Sequence, residues 1–176
     1  VRHADEAEPA AAPFVDALFR LLREEGIHTA LDTCGVCGGE PLTAACSHAD
    51  LILFDMKEID ATLHRRFTGG SLGQVQESLA RVVEIVENSR IHSEAWPDHR
   101  PKSLWIRTPI IPGMTDRVEN IAGIAEYLLS FGKDAFDRWE LCAFNNLCGD
   151  KYRSLGLEWE LGDAGLMTAK RMDKLV

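Results

Sequence analysis

The chain has 176 residues, 45% of them hydrophobic, and a net charge of −9. That composition suits one folded domain with a real core and excludes a largely disordered chain. Asp and Glu outnumber Lys and Arg by 28 to 19 with no basic cluster, which excludes a nucleic-acid partner.

No apolar run approaches the ~20 residues of a membrane span. The start, Val1-Arg-His-Ala-Asp-Glu-Ala-Glu8, is polar and acidic and does not read as a signal peptide; without an initiator Met, a fragment or processed chain is expected. The cysteines stand at 34, 37, 46, 142 and 148. Their odd number and irregular spacing read as reduced thiols of a cytoplasmic protein rather than a disulfide scaffold.

In chain order, Pro13 to Glu25 has apolar residues at helical spacing (Phe14, Val15, Leu18, Leu21, Leu22), with Gly26 as a stop. Ile27–Asp32 reads as a strand, residues 39–48 as a short helix or loop, and Asp50–Lys57 as a second strand. The continuous apolar run of that second strand predicts burial on both faces. Asp60–Phe67 is a weak helical turn. Ser71 caps a long helix reaching about Asn88, with Leu72, Val75, Leu79, Val82, Val83 and Val86 as its buried stripe. Residues 91–102 read as a loop and Ser103–Ile111 as a third strand. Thr115 or Asp116 is expected to cap the next helix, Trp139–Phe144 is a fourth strand, and a tail with a helix from about Asp163 completes the chain.

Strand and helix alternate, so the fold class is α/β with parallel strands. No Gly-x-Gly-x-x-Gly follows any strand, so a barrel or partial barrel is favoured over a doubly wound dinucleotide fold. Two strands each deliver an Asp at their C-terminal end, Asp32 and Asp55. Barrel enzymes carry their sites at that face.

Four blocks carry a family resemblance. They are Gly26-Ile-His-Thr-Ala-Leu-Asp-Thr-Cys-Gly35; Ala49-Asp-Leu-Ile-Leu-Phe-Asp-Met-Lys57 with Ile59-Asp60, Leu63-His64 and Phe67-Thr-Gly69; Ile106-Arg-Thr-Pro-Ile-Ile-Pro-Gly-Met-Thr-Asp116 with Glu119-Asn120; and Asp150-Lys-Tyr-Arg-Ser-Leu-Gly156. In order and spacing the chain resembles, over roughly residues 8–160, the activating enzymes of glycyl radical enzymes, such as pyruvate formate-lyase activase, in the radical SAM superfamily. The resemblance implies a partial (β/α)6 TIM-like barrel in a single domain over 1–176, with a degenerate first strand at about 1–9 and a C-terminal tail at about 149–176.

It also implies S-adenosylmethionine and a 4Fe–4S cluster as cofactors, a glycyl radical enzyme as partner, and an electron donor such as flavodoxin or ferredoxin. Asp32, Thr33 and Asp55 would surround the methionyl end of the cofactor through a monovalent cation, with Lys57 and Arg107 as cationic donors. Hard oxygen ligands and carboxylate repulsion make such an ion chemically reasonable. Each residue also has a plainer reading. Asp32-Thr33 could be a polar strand end, Lys57 a solvated charge, and Arg107 a structural ion pair.

The chain departs from the family at three places. The family's Cys-x-x-x-Cys-x-x-Cys cluster motif is absent, so no catalytic residue is assigned within this chain. Cys34 and Cys37 are a Cys-x-x-Cys pair after the Asp32 strand, where activases commonly have Asp-Thr-Cys-Gly or Asp-Thr-Asn-Gly. The Gly-Gly-Glu-Pro motif registers with Glu6-Ala7-Glu8-Pro9, keeping Glu8 as a cofactor-binding candidate but losing both glycines. A literal Gly38-Gly-Glu-Pro41 follows the Asp32 strand instead and reads as coincidence. At Phe144-Asn145-Asn146, where many activases have Tyr-His, Asn145 can donate a hydrogen bond but cannot titrate near neutral pH.

The sequence therefore reads as the C-terminal portion of an activase, inactive in isolation. Two alternatives stay open: a non-catalytic activase-derived domain that docks a glycyl radical enzyme, and a small thiol or zinc protein using Cys34 and Cys37.

Overall fold

A computed structural model describes the backbone of residues 4–95 and 102–176, and the side chains of 11–92 and 102–176. Four parallel strands stand in the order of the chain: β1 (Ala30–Thr33), β2 (Leu51–Asp55), β3 (Ser103–Ile110) and β4 (Arg138–Ala143). Helix α1 (Ala4–Glu24) precedes β1, and α2 (Gly39–Ser47) links β1 to β2. Helices α3 (Ala61–Thr68) and α4 (Leu72–Ala95) link β2 to β3, and α5 (Val118–Leu129) links β3 to β4. Two short helices, α6 (Gly149–Ser154) and α7 (Ala169–Met172), lie in the tail. A doubly wound sheet reverses its strand order at a switch point; this sheet does not, and its sequential order is that of a barrel wall.

Register shows how the wall is built. Asp32 aligns with Leu53, Asp55 with Arg107, and Arg107 with Glu140. Alternate residues face alternate sides. Ile52, Phe54, Leu104 and Ile106 therefore share one face, where they are fully buried with Val75, Leu79, Val82 and Val86 of α4 and Ile124 of α5. The other face carries Leu51, Leu53, Asp55, Trp105 and Arg107, all half-buried. The expectation of burial on both faces fails for this reason: the described helices cover one side of the wall only.

Other expectations shift for local reasons. Residues 4–9 belong to α1, so the backbone there is helical rather than a degenerate strand; residues 1–3 lie outside the described residues. Asp60 caps α3 by accepting the Leu63 N–H at 2.8 Å, which turns the weak signal into a real helix. Helix α4 runs past Asn88 to Ala95, taking in part of the expected loop; residues 96–101 lie outside the described residues. Neither Thr115 nor Asp116 caps α5, because both side chains are used inside the preceding turn. The Thr115 hydroxyl donates to the Pro109 carbonyl and accepts from the Ile111 N–H, and Asp116 accepts from the Gly113 N–H. The helix expected from Asp163 is confined to α7, capped by Thr168.

At the opposite end of the wall from the strand C-termini, the Lys102 ammonium donates to the carbonyls of Ser47 and Ala49, at 2.8 and 2.7 Å, closing the C-terminal end of α2. Burial lowers the Lys102 pKa from 10.5 to about 8, and burial raises that of neighbouring Cys46 from 9.0 to about 12. The signs oppose. Between pH 8 and 10.5 the unfolded chain holds the Lys102 proton that the folded chain has released, so stability rises with pH. Between pH 9 and 12 the folded chain holds the Cys46 proton longer, so stability falls. The expected result is a gain from pH 8 to 9 that levels off above pH 9. Lys102→Met should lose that gain and decline from pH 9 upward. Urea unfolding across this range measures both profiles, and an unchanged rise in the variant would refute the linkage.

Candidate functional site

The C-terminal ends of β1 and β2 and the middle of β3 bring Asp32, Asp55 and Arg107 together on the open face of the wall. The Arg107 guanidinium bridges the two acids: one terminal nitrogen donates to Asp32 Oδ2 at 2.9 Å, and Nε lies 3.4 Å from Asp55 Oδ1. Lys57, just past β2, sets its ammonium 3.2 Å from Asp55 Oδ2. Desolvation disfavours the charged guanidinium, but Asp55 and Asp32 outweigh it and hold the Arg107 pKa above the usual arginine value. The Nε contact with Asp55 lacks hydrogen-bond alignment. Asp55 Oδ1 and Arg107 Nε are thus buried polar atoms without a hydrogen-bond partner.

Asp55, Lys57 and Arg107 lie at the floor of a cavity of about 610 Å³, with Asp32 just outside its lining, and that volume is within the range of small-molecule sites. Asp55, Lys57, Arg107 and Asn145 all line it; Asn145 also accepts the Leu147 N–H at 3.1 Å. The walls are apolar and aromatic. Trp159 stacks on Tyr152 at 6.0 Å and lies tilted against Phe144 at 6.1 Å, and Phe67 and Leu161 complete the lining. Trp159 and Leu161 come from the tail, which is clasped to the turn after β3 by an ion pair between Arg171 and Asp116. His64 also lines the cavity; burial lowers its pKa, partly offset by the Gly70 carbonyl, so the imidazole is neutral near pH 7. Burial raises the Cys142 pKa against the opposing charge of Arg107, which keeps that wall residue a thiol.

Two expected residues do not join the cluster. Thr33 follows Asp32 directly in β1, so it points to the helix-covered face, where its hydroxyl accepts the Gly35 N–H at 3.0 Å. Glu8 lies on α1, and its side chain is outside the described residues. Sequence reasoning missed His64, Tyr152 and Trp159 as lining residues. Tyr152 and Trp159 are the only aromatic residues after Phe144, which was the available signal.

No protein-family model matches the chain. It is 31% identical over 156 residues to the isethionate sulfite-lyase activating enzyme of Desulfovibrio desulfuricans, covering 89% of this chain and 45% of that protein. It is 33% identical over 155 residues to the (2S)-3-sulfopropanediol sulfolyase activating enzyme of Bilophila wadsworthia, covering 88% and 46%. The chain is a homologue of the glycyl radical enzyme activases. This activase homologue spans less than half the length of these two relatives. Among solved structures, a domain of pyruvate-formate lyase-activating enzyme from Bacteroides vulgatus shares its fold with a TM-score of 0.68 at 19% identity, covering 96% of this chain and 84% of that one. Streptococcus suis SuiB bound to S-adenosylmethionine matches at 0.51 and 12%, covering 72% and 25%.

Within the activase homologue, neither implied inorganic group fits the described side chains. No three His, Cys, Asp or Glu residues among them converge to hold a metal, so an iron–sulfur cluster has no ligand set here and zinc no complete site. Cys34 and Cys37 are half-buried and not disulfide-bonded. The monovalent cation loses Thr33 as a ligand, and Arg107 and Lys57 already neutralise the two acids. Among the described residues no helix is long and apolar enough to cross a membrane.

Proposed function

We propose that this chain supplies the S-adenosylmethionine-binding wall of a glycyl radical enzyme activase, holding the methionyl end of the cofactor at the cavity floor. The observation that carries the reading is the charge pattern: two acids and two bases in one cluster, with unsatisfied buried atoms on both Asp55 and Arg107. An amino-acid end presents one ammonium and one carboxylate. Arg107, a planar fork, and Lys57, a point charge, suit the carboxylate; Asp55 and Asp32 suit the ammonium. The aromatic wall of Trp159, Tyr152 and Phe144 suits the less polar remainder, and Asn145 offers an amide at the same wall.

In the whole protein, bound S-adenosylmethionine would be the source of the radical delivered to a glycyl radical enzyme, with electrons from a reduced carrier such as flavodoxin or ferredoxin. The described residues offer no ligand set for a cluster, so no cleavage step is assigned to them. Their part is to bind and orient. Support comes from the homology to activating enzymes and from the radical SAM fold of a neighbour solved with S-adenosylmethionine bound.

The test is a calorimetric titration of the chain with S-adenosylmethionine, methionine and adenosine. Weak binding of the first two, with competition between them, is the expected result. Asp55→Asn should weaken both by roughly tenfold, the loss of one charge-assisted hydrogen bond. Binding of adenosine alone, or indifference to Asp55→Asn, would overturn the proposal.

A further inference from the structure

Lys57 stands beyond the end of β2, where no sheet ladder fixes the backbone, yet its ammonium meets Asp55 at the cavity floor. A buried polar network accounts for that placement. The Asn120 amide, fully buried on α5, donates to the Lys57 carbonyl and to the Thr115 carbonyl, both at 3.1 Å, and its oxygen accepts the Ile59 N–H at 2.9 Å. One side chain thus ties the loop after β2 to the loop after β3.

The next residue, Glu58, is also fully buried. Its Oε1 accepts the N–H groups of Ile59 and Asp60, each at 3.0 Å, and its Oε2 takes a 2.6 Å ion pair from Arg117. Arg117 is held in turn by the Met114 carbonyl at 3.3 Å. A buried carboxylate is tolerated only when paired and hydrogen-bonded, and here every partner belongs to one of the two loops. Met114 and Thr115 line the same cavity as Lys57.

We infer that Glu58, Arg117 and Asn120 are positioning residues that fix Lys57 at the cavity floor and lock the two loops into one unit. The inference deepens the proposed cofactor site, on which the ligand part of its test rests. No smaller or differently charged side chain reproduces the Asn120 role, because the site needs two donors and one acceptor at once. Arg117→Lys keeps the charge that pairs with Glu58 and gives up the longer Met114 contact, whereas Arg117→Met loses both.

The experiment uses the full chain with its lysines converted to ¹³C-dimethyl-lysine, the Lys57 resonance being assigned by its loss in Lys57→Arg. Asn120→Ala and Glu58→Gln are expected to move the Lys57 resonance well beyond any change at Lys133, past the C-terminal end of α5. Arg117→Met should do the same and Arg117→Lys should restore the wild-type position. Should Asn120→Ala fail to fold, Glu58→Gln and the Arg117 pair carry the test. Lys57 changes no larger than those at Lys133 would overturn the inference. In parallel, S-adenosylmethionine affinity should fall about fivefold to tenfold in Glu58→Gln, the equivalent of one lost hydrogen bond. If the wild-type chain binds no S-adenosylmethionine while the Lys57 resonance still moves, the cofactor reading fails and the positioning role stands.

Discussion

Arg107→Met is expected to lower S-adenosylmethionine affinity by roughly 30- to 100-fold, the loss typical of truncating one partner of a desolvated charge pair. The guanidinium is the hub of the cluster: it reaches Asp32 and Asp55 at once and stands opposite Asp55 in the sheet register. Methionine keeps the alkyl packing and removes every donor. Arg107→Lys should not restore binding, because a single ammonium cannot bridge two carboxylates and a ligand in fixed directions. Asp32→Asn should matter less, since the Asp32 side chain is 56% exposed against 19% for Asp55. Calorimetric titration of the three variants separates these effects. Equal affinity of Arg107→Met and the parent chain would remove Arg107 from the site.

Gly35→Ala carries the largest expected effect on stability, a loss of about 2–4 kcal/mol in urea unfolding, from overpacking together with left-handed backbone strain. Gly35 is the second residue of the loop after β1, with φ +72°, and an added Cβ would sit 2.6 Å from the Phe54 ring and 2.8 Å from Ser78 Cβ. Phe54 is in the core and Ser78 lies on α4, where its hydroxyl donates to the Gly35 carbonyl at 2.6 Å. Neither neighbour can step aside cheaply. If the ring contact dominates, Gly35→Ala should cost less in a Phe54→Leu background than alone. Strict additivity would instead assign the loss to backbone strain.

The parts of this fold that obey a local period were readable in advance. The strand at Ser103–Ile110 and the apolar stripe of Leu72, Val75, Leu79, Val82 and Val86 on its covering helix are both present, and Asp55, Lys57 and Arg107 line one cavity. The Thr33 side chain faces away from that of Asp32, as the two-residue period of a strand already requires. Glu58, Arg117 and Asn120 were not legible as a unit, because their partners lie 59 to 63 residues apart and meet only when two loops pack. Thr115 and Asp116 looked like caps because their chemistry serves either a helix start or a tight turn; only the fold shows which competitor wins.

The ring of Asp32, Arg107, Asp55 and Lys57 sums to no net charge. A ligand end that is itself a zwitterion arrives neutral and meets a neutral host, so association is an exchange of internal partners for external ones. Long-range attraction, which salt screens over about 10 Å at 0.1 M, has little to act on. Affinity for methionine, which has no net charge, should therefore stay nearly flat between low and high ionic strength, in contrast to a site that recruits its ligand through excess charge. A steep salt dependence would mean that the ring opens before the ligand arrives.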